Sequence, residues 1–128
     1  MLTNKSPHYQ PIRRWCRAQA DVTEENPWEA IAFKVKKRVF AICGTDKPLS
    51  ITLKPKKENL DAYLYHPAIE IAAYVGRFGW ITITVENKDT ADLALALVQE
   101  SYEVVSSRKG DRKFVRKGKG KAVPKGLK

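Results

Sequence analysis

The residues of this chain best suited to chemistry are lysines, arginines and one tryptophan at alternating positions, and that chemistry is anion binding. In FKVKKRVFAIC, residues 33–43, the triplet Lys36-Lys37-Arg38 stands between two apolar runs. Lys34 in FKV, Lys54 in TLK, and Trp80 and Thr82 in GWITI fall at positions that strand alternation sends to one side of a sheet. Lysine offers a point charge to a phosphate oxygen, threonine a neutral hydrogen bond, and indole a face on which a base can stack. Arg77 flanks the same surface. The plainer alternative is an ordinary wet sheet face, with Trp80 packed under the 66–79 loop.

Catalytic chemistry is harder to assemble. His8 and His66 stand alone, and Glu24-Glu25 are adjacent, which does not set two carboxylates across a substrate. There is no HExxH and no nucleophile elbow. GKGKAVPKG lacks the spacing of a phosphate loop and has no strand before it or helix after it. Cys16 and Cys43 lack CxxC spacing and read as small buried hydrophobes. The expectation is therefore no enzyme, no cofactor and no metal.

The net charge of +10 is unevenly placed. Residues 1–107 carry 14 Lys+Arg against 13 Asp+Glu, whereas residues 108–128 carry 10 Lys+Arg against Asp111 alone. Arg108, Lys109, Arg112, Lys113, Arg116 and Lys117 lead this stretch, which also holds glycine and proline but little to bury. It reads as a mobile basic tail that would seek a polyanion, or else as a solubilising extension. No apolar run approaches the ~18 residues of a membrane span. MLTNKSPHYQ has no apolar leader core, so a cytoplasmic protein without a membrane partner is expected.

The elements that must position these groups follow from periodicity. A first helix is expected from Pro11 to about Ala20, with Ile12, Trp15 and Cys16 inward and Arg13, Arg14 and Arg17 solvated. DVTEENP breaks it. From Trp28 the period becomes two: Ile31, Phe33 and Val35 face one way, Ala32, Lys34 and Lys36 the other. VFAIC returns to close a hairpin, and LSITLK is a third strand. Residues 56–65 read as a short helix, 66–79 as a loop with room for a brief strand, and WITITVE as the clearest strand. The last helix follows NKDT, capped by Asp89 or Thr90, with Ala94, Leu97, Val98, Ser101, Tyr102 and Val105 along one side. Trp15, Trp28, Phe33, Phe40 and Tyr102 are assigned to the core or its edge. The fold class expected is α+β, a two-layer domain with an antiparallel sheet and helices on one face. Its order is α-β-β-β-α-(β)-β-α over residues 1–107, and the basic tail of residues 108–128 follows.

The ordered set ADVTEENPW, IAFKVKKRVFAI, SITLK, HPAIEIAAYVGRFGWITI and ESYEVV resembles the MmcQ/YjbR family across roughly residues 10 to 107. The resemblance implies a compact α+β domain of the CyaY-like or secretion-chaperone-like type. It also implies the family's usual label, a predicted DNA-binding protein with a "double-wing" motif. The basic tail lies outside the family pattern. The leading functional expectation is a DNA-binding protein that contacts mainly phosphate and has weak sequence specificity. The alternatives are a protein-interaction module or homodimer docking through Trp80, and RNA or ribosome association driven by the tail alone.

Overall fold

The computed structural model describes residues 3–73 and 75–107, and the side chain of Arg77 is outside that description. The expectations placed on residues 108–128 also fall outside it. The order is α1 (Tyr9–Ala18), β1 (Val22–Glu25), β2 (Ile31–Val35), β3 (Arg38–Cys43), β4 (Leu49–Leu53), α2 (Leu60–Leu64), β5 (Ile69–Ile71), β6 (Ile81–Val85) and α3 (Lys88–Ser106). The strands form one sheet, ordered β1-β2-β3-β4-β6-β5, in which every neighbouring pair is antiparallel. The α+β expectation holds.

Alternation decides the two faces. Ile31, Phe33, Val35, Ile51, Leu53, Ile81 and Ile83 are buried on the side covered by helices, joined by Tyr9, Ile12 and Cys16 of α1 and by Leu97 and Val98 of α3. The two helices meet where Trp15 sets its ring edge-on to Tyr102, and Tyr102 packs the same way against Phe40. Phe40 owes its place to a bulge: Phe33 pairs with Ala41 but Lys34 with Val39, so β3 carries one residue more. Ser101, fully buried on α3, repairs the interrupted ladder by donating to the Phe40 carbonyl at 2.6 Å and accepting from the Lys54 N–H at 2.9 Å. Asn87 caps α3, its side chain accepting from the Thr90 N–H while the Thr90 hydroxyl accepts from the Asn87 N–H. The cap is thus Asn87, two residues before Asp89 and three before Thr90, with Thr90 as its reciprocal partner.

Three further expectations are corrected. A strand, β1, stands where a helix-breaking loop was expected. Its inward positions are Val22 and Glu24, and the Glu24 side chain is only 2% exposed. Arg13 and Arg17 are accordingly not simply solvated. Their guanidinium groups reach Glu24 Oε1 at 3.1 and 3.0 Å, latching α1 to the sheet's first strand. Trp28 is no core residue: it is 94% exposed on the short 3-10 turn Pro27–Glu29.

Candidate functional site

The antiparallel register gathers several connections at one end of the sheet. Val35 and Arg38 are paired, so Lys36 and Lys37 form a two-residue hairpin loop between them. Both have positive φ, 53° and 71°, the signature of a type I′ turn, which ordinarily takes Asn-Gly. β4 runs back toward this tip, with Leu53 opposite Ala41, and delivers Lys54, Lys56 and Lys57 there. β6 starts at the same end, with Ile81 opposite Leu53, and so does the segment that joins it to β5. That segment is a second hairpin connection. It contains the 3-10 turn Gly76–Phe78 and then Gly79, whose φ of 90° turns the chain into Trp80. Phe78 and Ile71 remain 57% and 62% exposed there. α3 also finishes at this end, where Glu103, Val104 and Ser107 border a surface groove with Lys56, Lys57 and Glu58.

The open sheet face is less basic than its sequence suggests. Thr52 and Thr82 do share it, their hydroxyls 2.9 Å apart, and Ser50 pairs with Thr84 beside them. Lys34 lies on the same side, between Thr23 and Val39, but its ammonium is 3.0 Å from Glu25 Oε1. A groove lined by Asp21, Thr23, Glu25, Lys34, Lys36 and Lys37 therefore mixes both signs of charge. Lys54 and Trp80 lie just beyond the strand ends and are half-buried. Lys36 belongs to the turn and not to the strand face. The cations thus concentrate at the hairpin end and not across the face.

The interior offers little reactivity. Burial, and next the Glu24 carboxylate, push the Cys16 thiol up to about 12. Burial also raises Cys43 and Tyr9 well above their ordinary values. The His66 ring accepts the Ala68 N–H through Nδ1 at 3.0 Å, a local turn contact. Among the described residues no group of three or more His, Cys, Asp or Glu could hold a metal ion, and no helix is long and apolar enough to cross a membrane.

Residues 17–104 match the sequence profile described as YjbR. The chain belongs to the YjbR family. The match begins near the end of α1, takes in all six strands and stops within the last turn of α3. The crystal structure of a protein from Pseudomonas syringae, a structural-genomics target, superposes with a TM-score of 0.59 at 16% identity, covering 80% of this chain and 99% of that one. At that identity the likeness speaks for the fold alone. No curated protein matches the chain.

Sequence reasoning missed Lys56 and Lys57 as members of the YjbR chain's basic end, because they were placed on a helix. It also missed Glu24. An acidic residue at an inward strand position two residues from Val22 was the signal, legible only once Arg13 and Arg17 are known to lie above it.

Proposed function

We propose that this YjbR-family protein is a small DNA-binding protein that grips the phosphate backbone with the hairpin end of its sheet and has weak sequence specificity. One observation carries the reading. Lys36, Lys37, Arg38, Lys54, Lys56 and Lys57 are drawn to a single end, where Ser107 leads into a stretch of ten Lys and Arg. The β2–β3 and β5–β6 hairpins open at the same end there, with β4 between them, which supports the double-wing expectation. A two-stranded ribbon fits the major groove, and basic side chains at its tip would meet phosphates on the groove walls. Lys34, Thr82 and Trp80 become flanking contacts in this reading, not its centre. Arg77 and residues 108–117 add charge from outside the described surface. RNA offers the same phosphate chemistry. The reading includes no catalysis, cofactor or membrane partner.

The test is fluorescence anisotropy of the full chain with duplex DNA, single-stranded DNA and RNA across a range of salt. Neutralising about six phosphates gives a slope of log K against log salt near −5. Lys36→Gln/Lys37→Gln should make that slope less steep by about 2 without altering the preference among sequences. Affinity independent of salt, or absent at low salt, rejects the proposal.

A further inference from the structure

The β5–β6 hairpin ends in apolar side chains that the core does not take up. By register Ile71 lies opposite Ile81 and two residues from Ile69, and both of those are buried on the helix-covered side. Ile71 shares that side yet is 62% exposed, so this corner of the layer stays open. A Cβ at Gly76 would overlap Ile71 Cγ2, which means that the 3-10 turn Gly76–Phe78 lies directly against Ile71. Phe78, in the same turn, is 57% exposed. Glu70, the acid of this strand, belongs to the opposite face, where it pairs with Thr82.

The surroundings decide what such a patch meets. Lys54, Lys56 and Lys57 leave β4 at the same end and lead toward α2, which packs against β5. Only β6 separates β4 from β5, so the strand that delivers these cations runs about 10 Å from the patch, or about three nucleotide steps of a stacked strand. A second copy docked here would bring its own lysines against these. A polyanion that carries flat aromatic groups suits both features: its phosphates meet the lysines and a base meets the phenyl ring. Bases of an intact duplex are already stacked on one another, so the fitting ligand has bases that are unpaired. We infer that Phe78, backed by Ile71, is a base-stacking contact, and that the nucleic acid preferred at this end contains unpaired bases. The inference rests on the proposed DNA-binding reading and sharpens it. The lysines grip phosphate, while Phe78 selects strand state and not sequence, because every base has a face to stack.

Anisotropy titrations of the full chain against two DNAs of equal length and charge test this. One is an intact duplex, and the other is the same duplex with a central stretch of non-complementary bases. The parent should bind the interrupted duplex about tenfold more tightly. Phe78→Ala should bring the two affinities together and leave the intact-duplex affinity and the salt slope at parent values. Phe78→Tyr should keep the preference, whereas Phe78→Leu, apolar but without a ring, should lose it. Phe78 is exposed, so all three variants should fold. Lys36→Gln/Lys37→Gln should weaken both complexes alike and keep the preference. Equal parent affinities for the two DNAs, with a steep salt slope, overturn the inference and leave the phosphate reading standing. A preference that survives Phe78→Ala overturns it as well. So does a parent dimer in sedimentation that Phe78→Ala dissociates, because the patch then belongs to a second copy. Absence of binding to either DNA at low salt rejects both readings.

Discussion

Lys36 and Lys37 hold their turn at a conformational disadvantage. Left-handed backbone costs a residue with a Cβ about 1 kcal/mol, and here two lysines in succession adopt it. Lys36→Asn/Lys37→Gly should therefore raise the unfolding free energy by about 1 kcal/mol in urea, with an unchanged m-value. If the tip binds phosphate, the same variant should bind DNA less tightly with a shallower salt slope, so stability and affinity move in opposite directions. A variant that gains stability and keeps its affinity would make the lysines passengers of the turn. Cys16 offers a pH test. Its folded-state thiol is raised to about 12 from an ordinary 9.0, first by burial and then by Glu24, so the unfolded chain releases this proton first. Stability from this group is complete below pH 9 and is lost as pH rises toward 12. Cys16→Ala should flatten that part of a denaturation-against-pH series. Native protein at pH 8 should not react with a thiol reagent until it is unfolded.

At the scale of elements, most of the sheet was legible because its inward positions repeat cleanly. Ile51-Leu53 and Ile81-Ile83-Val85 alternate with hydroxyls, and a half-buried antiparallel strand has no other pattern. β1 was not legible. Its inward pair is Val22 and Glu24, and a carboxylate in that place becomes tolerable only with Arg13 and Arg17 overhead, a contact between elements that alternation does not encode. The turn at Trp28 failed for the opposite reason: large aromatic residues usually enter cores, and nothing local reports that this backbone points the ring outward. The candidate site was half legible. The tip was evident from three basic residues between apolar runs, but Lys56 and Lys57 reach it only through the β3–β4 register. Two side chains join elements strongly enough for simple tests. Glu24→Ala should cost about 2 kcal/mol, less than a fully buried pair, because Arg17 is half exposed and can turn to water. Ser101→Ala removes the bridge between Phe40 and Lys54, leaving a buried carbonyl and N–H without this partner, and should cost about 1–3 kcal/mol.

For the molecule as a whole, what matters is where the charge lies and not how much there is. The hairpin end bears Lys36, Lys37, Arg38, Lys54, Lys56 and Lys57 against Glu58 and Glu103, whereas Glu29, Asp46, Glu86 and Asp89 stand with Lys5, Lys47 and Lys88 at the other end of the same strands, so the first end is the more basic. Such a molecule would approach a polyanion in one orientation, and the attraction would be felt at the contacts that release counterions. Net charge alone predicts something different, since every lysine would then count equally. Two double variants separate these cases: Lys56→Glu/Lys57→Glu at the hairpin end and Lys5→Glu/Lys47→Glu at the far end. Each lowers the formal charge from +10 to +6, and all four lysines are exposed; the first pair also breaks the contact of Lys56 Nζ with Glu103 Oε1 at 3.8 Å, a surface ion pair worth at most about 1 kcal/mol. If the hairpin end is the contact surface, the first pair should make the salt slope less steep by about 2 and weaken DNA binding severalfold at low salt. The second pair should leave the slope at the parent value, with only a small loss of association rate from the weaker overall field. Equal losses from both pairs would mean that binding follows bulk charge. The gathering of lysines by the β3–β4 register would then be a consequence of keeping cations out of the core, with no bearing on a partner.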